Sequence, residues 1–213
     1  MTEPPVRLRV DNGIAFCELC SPPGNVMNSA FFECFSALGD SFAACAARVR
    51  GMVVYGGGRH FSSGADVDEI KSIIAGRPEA LTSELFLKNH HALESLAQLA
   101  FPVVAAISGC CLGAGLELAL ACRYRICAPN AVFSLPEATF GLMPGCGGTV
   151  RLPAIIGEAR AIELALSGRT IGADEAHACG LLDLVVEKKA LLPTALRLID
   201  KANNASPRIS GEP

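Results

Sequence analysis

The chain has 213 residues, of which 51% are hydrophobic and 18% charged; an average soluble domain carries roughly 25% charged residues, so this composition supplies one well-buried core and leaves apolar surface over for subunit interfaces. A formal net charge of −3 with no block of lysine or arginine argues against nucleic acid as a partner, and no membrane span is expected. The ten cysteines lie scattered in apolar segments and follow no signal peptide, the pattern of free thiols in a reducing cytoplasm.

Residues 7–10 and 14–19 alternate apolar and polar side chains around Asp11-Asn12-Gly13, the chemistry of a tight β-hairpin turn. After the loop Ser21-Pro22-Pro23-Gly24-Asn25, Asn28 and Ser29 are suited to cap a helix over 28–47. Residues 51–55 form a short buried strand that runs into Gly56-Gly57-Gly58. Gly64-Ala65-Asp66 then turns into a helix at 67–74, Gly76-Arg77-Pro78 breaks the chain, and a long helix follows at 78–99. A buried strand at 101–107 ends at Ser108-Gly109. Next come a helix at 114–122, strands at 124–128 and 132–134, and helices at 146–156 and 158–166. The last elements are a short helix over 174–180 with a glycine stop, a strand at 182–186 and a helix at 190–202, ahead of a frayed tail at 206–213. Short strands alternating with helices, and no linker between halves, predict an α/β layered fold whose strand ends present the loops.

Several familiar chemistries are missing. Cys17-Glu18-Leu19-Cys20 is formally a CxxC pair, yet a strand through it points the two thiols to opposite faces and no second pair follows. His60, His90, His91 and His177 show neither HExxH spacing nor a carboxylate cluster, so no metal is expected. The glycine-rich stretch 141–149 lacks the Gly-Lys-Ser/Thr ending of a phosphate loop, and no GxSxG elbow marks a serine nucleophile.

Two acids stand out instead. Glu117 lies in Gly113-Ala114-Gly115-Leu116-Glu117, where a small-residue turn opens an otherwise apolar helix, and Glu137 stands alone between Phe133 and Phe140. A carboxylate in such surroundings is costly without a task, and a pair suggests general acid/base work. The loops 61–66 and 109–115 each join a buried strand to a helix and offer unpaired N–H groups among small residues. From spacing alone they read first as tight strand-to-helix connections and second as two halves of an oxyanion hole. Glu117, three residues after Ala114, shares a helix face with that candidate donor. The helix dipole favours its ionised form and its apolar neighbours oppose it, which leaves its pKa open at this level.

In series, four segments resemble the successive signatures of the crotonase, or enoyl-CoA hydratase/isomerase, superfamily. They are His60-Phe61-Ser62-Ser63-Gly64-Ala65-Asp66, residues 109–121, residues 134–142 and residues 144–152. Residues 25–28 and 180–185 extend the similarity to nearly the whole chain. The resemblance implies a crotonase-like spiral of ββα units, with residues 1–189 as core and 190–213 as a short C-terminal helix and tail where relatives continue into further helices. It implies trimers or dimers of trimers acting on an acyl thioester of coenzyme A, which enters as part of the substrate, so no separate cofactor is expected.

In that family the N–H groups matching Ala65 and Ala114 form the oxyanion hole; the alanine at a usual glycine position is tolerated because the donor is backbone. Glu117 matches the acid that activates water, Glu137 the acid that exchanges the α-carbon proton, and Gly145 a backbone group beside the water. Gly64, Asp66, Val67 and Gly113 match the substrate-binding turns. Val67-Asp68-Glu69 stands where many relatives carry a base, so recognition of the coenzyme A phosphates passes to Lys71, to arginines elsewhere or to a neighbouring subunit. Possession of both acids favours syn hydration of a 2-enoyl thioester, or the reverse dehydration. The alternatives are an isomerase or carrier-linked acyl dehydratase using the same oxyanion hole, and a noncatalytic crotonase-like subunit.

Overall fold

Asn12 and Gly13 take φ of 47° and 73°, the left-handed backbone that a two-residue hairpin turn demands. Across that turn β1 (Val6–Asp11) pairs antiparallel with β2 (Ile14–Leu19). These are the first elements of a computed structural model that describes residues 3–45, 49–76 and 83–205. In chain order there follow α1 (Ser29–Cys45), β3 (Gly51–Gly56), α2 (Val67–Gly76), α3 (Ser83–Ala97), β4 (Val103–Ile107), β5 (Cys110–Leu112) and α4 (Ala114–Ala121). The chain continues through β6 (Tyr124–Cys127), β7 (Val132–Ser134), α5 (Gly148–Ile156), α6 (Glu158–Ser167), β8 (Ile171–Gly172), α7 (Ala173–Ala178), β9 (Leu184–Val185) and α8 (Leu191–Ala205). A six-stranded sheet runs β1-β2-β3-β4-β6-β9, parallel from β2 onward, beside a small sheet β5-β7-β8.

The predicted α/β alternation is present, α1 is capped at the expected Asn28, and the turn at Asp66 proves to hold a second cap. Asn28 Oδ1 accepts the Phe31 N–H at 3.0 Å, and Asp66 Oδ1 accepts those of Asp68 and Glu69, both at 3.0 Å, starting α1 and α2 as side-chain caps do. Residues 46–48 of the first expected helix, 78–82 of the long one and the tail at 206–213 lie outside the described residues.

Three local expectations change. Residues 110–112, read as part of a turn, form the strand β5, because Cys110–Leu112 bonds to β7 on one side and bridges Ser62 on the other. The helix expected from 146 begins at Gly148, because Gly147 takes φ of +104°, outside the right-handed helical region. The hairpin alternation of β2 suggests one wet face, yet β2 is buried on both. Its second face is covered by α8, whose Leu191, Ala195 and Ile199 pack on Ile14, Phe16, Val53, Val104 and Ile126.

On the opposite face Phe31, Phe35, Leu93 and Leu118 meet Cys17, Met52, Val54 and Ile107 in the main core. Every residue of α4 is buried, as expected for a helix apolar on all sides. Leu116, Leu118 and Leu120 contribute about 1.5–3 kcal/mol each on burial, which holds this helix against the cost of the single carboxylate it carries.

Ile199 is fully buried beneath the sheet. Ile199→Ala is expected to lower unfolding free energy by about 2–5 kcal/mol in urea titrations without changing the slope. A loss well under that range means α8 does not seal this face.

Candidate active site

Two strand-end loops meet over α4. Met27 N–H donates to the Gly64 carbonyl at 2.9 Å and the Asp66 N–H donates to the Met27 carbonyl at 3.3 Å. This parallel bridge straddles Ala65 and turns Ala65's own N–H to the other side. Gly64 has φ of +93°, and a Cβ there would lie 2.7 Å from the Leu112 carbonyl oxygen and 3.6 Å from the Ala114 nitrogen. Only glycine allows that approach. Ala114 opens α4, so its N–H belongs to the first turn and has no partner within the helix.

Every residue singled out from the sequence lines one of two adjoining cavities. Ala65, Asp66, Ala114, Glu117, Glu137 and Gly145 line one of about 100 Å³. Gly64, Val67 and Gly113 line a neighbour of about 330 Å³, which shares Ala65 and Glu137 with the first and has Lys71 in its wall. A larger cavity, about 740 Å³, is an open groove between α1 and α3 whose described lining carries no carboxylate; volume alone does not locate the chemistry.

The two acids sit in different surroundings. Glu117 is 1% exposed, and its Oε1 accepts the Cys146 and Gly148 N–H groups at 2.8 Å each. Burial pushes its carboxyl up, against the pull of these backbone donors and of the Arg151 guanidinium. Glu137 opens a 3-10 turn (Glu137–Phe140) and is half-buried. Its Oε2 is buried with no hydrogen-bond partner among the described residues. Burial, helped by the charge of Glu117 and opposed by Glu137's own backbone N–H, pushes its pKa up to about 7.

Asn25, His60 and Ser62 stand in segments that resemble the family, and the structure shows that they brace the loops. Asn25, buried with φ of 53°, donates from Nδ2 to the carbonyls of Gly57, His60 and Phe61 at 3.2, 2.8 and 3.1 Å. Ser62 Oγ donates to the Asn25 carbonyl at 2.8 Å and accepts the Gly64 N–H at 3.1 Å. His60 Nδ1 accepts the Cys110 N–H at 3.1 Å, tying one loop to the other. Asn25 looked like an ordinary turn residue after two prolines. Its partners lie 32 to 36 positions away, and no local pattern encodes them. Among the described residues, no group of three His, Cys, Asp or Glu side chains could hold a metal ion, and no helix is long and apolar enough to cross a membrane. Cys17 is buried and Cys20 half-buried, and burial pushes both thiols up, Cys20 to about 11.

The raised pKa of Glu137 has a stability consequence. The folded chain holds this proton up to about 7 while the unfolded chain releases it near 4.5, so the contribution is complete below 4.5 and is lost as pH rises to about 7. Glu137→Gln has no such loss. In urea titrations its stability relative to wild type should therefore rise between pH 4 and pH 8, and a difference constant across that range contradicts the assignment.

A sequence profile described as enoyl-CoA hydratase/isomerase matches residues 9–211. A Bacillus subtilis protein named probable enoyl-CoA hydratase is 36% identical over 204 residues, which is 95% of this chain and 78% of that protein. The fatty acid oxidation complex subunit alpha of Shewanella loihica is 38% identical over 195 residues, 89% of this chain but only 27% of the relative. Among solved structures, enoyl-CoA hydratase from Bacillus anthracis superposes with a TM-score of 0.84 at 33% identity, covering 95% of this chain and 78% of that one. A Thermobifida fusca structure solved in complex with CoA also gives 0.84, at 29% identity over 95% of this chain and 80% of the other. With nearly its full length matched by the profile and its fold shared with these structures, the chain belongs to the enoyl-CoA hydratase/isomerase family, the crotonase superfamily.

Proposed function

We propose that this protein is an enoyl-CoA hydratase, adding water syn across the 2,3 double bond of a 2-enoyl-CoA thioester and catalysing the reverse dehydration. One observation carries the reading: two carboxyls in contrasting environments line a single cavity beside two backbone N–H groups that are free to donate. The thioester oxygen accepts from Ala65 and Ala114 N–H, where negative charge develops as oxygen adds to C3. Each such donor is worth about 2.7–4 kcal/mol in the transition state, and the positive end of α4 adds to them. Glu117 has donors that favour its ionised form, and it takes the proton of the attacking water. Glu137 is held protonated to about 7, and it delivers a proton to C2 from the same face. Transfer of a proton from Glu117 back to Glu137 restores the starting state, so the net change is one water added.

Gly145 lies in the same cavity wall as Glu117 and supports the water position. Gly64, Asp66, Val67 and Gly113 shape the thioester-binding turns, and Lys71, in the wall of the larger cavity, meets the coenzyme A phosphates. The fatty acid oxidation subunits among the relatives favour a fatty acyl group as the substrate. Exposed Phe140, Met143, Val150, Ile162 and Leu166 support self-association, read here as a homotrimer or dimer of trimers. Unpaired cysteines among the described residues fit a cytoplasmic setting.

Loss of the conjugated thioester absorbance of crotonyl-CoA measures the activity. Glu117→Gln and Glu137→Gln should each lower kcat by about 10²-fold or more; hydration at the wild-type rate in both variants defeats the reading. Ala114→Pro removes one donor at a first-turn position where proline suits a helix. It should cost about 10²–10³ in kcat with the fold retained by circular dichroism.

A further inference from the structure

Arg151 lies behind the catalytic cavity and is absent from the residues that line it. Its side chain is 14% exposed. From α5 it reaches back to the loop before its own helix, where Nη1 donates to the Cys146 carbonyl at 2.9 Å. Its Nη2 pairs with the Glu94 carboxylate of α3. Gly147, at φ of +104°, leaves room for this: a Cβ there would fall 2.0 Å from Nη1. Residue 146 is therefore gripped at both polar ends, its carbonyl by Arg151 and its N–H by Glu117.

We propose that Arg151, anchored by Glu94, is a positioning residue for Glu117: it fixes the loop whose N–H groups aim that carboxylate at the water. The assignment rests on the hydratase reading and divides its two acids. Glu117 depends on the clamp, whereas Glu137 sits on a separate 3-10 turn without a contact to Arg151. An arginine fork serves a carbonyl and a carboxylate at once, which a lysine cannot do in the same geometry. The charge acts in the same direction as the geometry, since Arg151 favours ionised Glu117. The other titratable groups around Glu117 are Glu137 and Cys146, with Asp66 and Glu69 in the wall of the same cavity and Glu94 and Cys122 around Arg151 itself; α4 brings no second charged side chain.

The test separates the two halves of the chemistry in the intact chain. Crotonyl-CoA hydration needs both acids. Deuterium uptake at C2 of butyryl-CoA in D₂O, followed by NMR, needs the oxyanion hole and Glu137 but adds no water. Arg151→Gln should lower kcat for hydration about a hundredfold, the scale of a misplaced reactive group, with KM and the exchange rate unchanged. The acid limb of its hydration pH profile should move to higher pH, because loss of the positive charge makes Glu117 harder to ionise. Arg151→Lys keeps the charge without the fork and should fall between the two; if Arg151→Gln does not fold, selective loss of hydration over exchange in Arg151→Lys carries the test. Hydration and exchange falling together, or hydration untouched, overturns the proposal. A wild type that exchanges butyryl-CoA but never hydrates crotonyl-CoA overturns the hydratase reading beneath it, and the two failures are told apart by that control.

Discussion

A carboxylate inside a helix with no wet side must be compensated, and much of this architecture follows from how Glu117 is. Effective desolvation of such a charge costs several kcal/mol. Two backbone N–H groups at 2.8 Å offset it, each hydrogen bond to a charged group contributing about 1.5–3 kcal/mol. Those donors are Cys146, in the turn before α5, and Gly148, the first residue of α5. The apolar remainder of α4 holds the helix in the core while one face of its first turn opens on the cavity.

The two N–H groups proposed as oxyanion donors arise from the same economy of backbone. Both loops leave strand ends, and their N–H groups are free because a bridge partner or a helix start leaves them unused. Loops with so little side chain need bracing from elsewhere. Asn25 and Ser62 supply it for one, and His60 joins it to the other. Positioning by several short polar contacts suits an oxyanion hole, whose effect depends on donors that do not reorganise as charge develops.

The same cavity holds two acids of different character, Glu117 and Glu137. Glu117 accepts two backbone N–H groups, whereas one oxygen of Glu137 is buried with no hydrogen-bond partner among the described residues. Distinct environments separate the roles of chemically identical groups. The negative charge of Glu117 widens the separation by pushing Glu137 further up.

Much of this is legible in the chain. The element order, the cap at Asn28, the turn at Asp66, the isolated acids and the small-residue turns are all local patterns, because caps, periodicity and turn chemistry act over a few residues. The four motifs, taken in series, also resemble the signatures of the family. The tertiary structure alone decided that β2 is covered on both faces and that residues 110–112 form a strand. It also decided that Glu117 is anchored by residues 29 and 31 positions away and that Asn25 braces a loop more than 30 positions on. The first depends on the apolar face of α8, and the others on hydrogen-bond partners brought together by folding. Whether a buried polar group is costly or useful is set by such partners, which no local stretch of sequence contains.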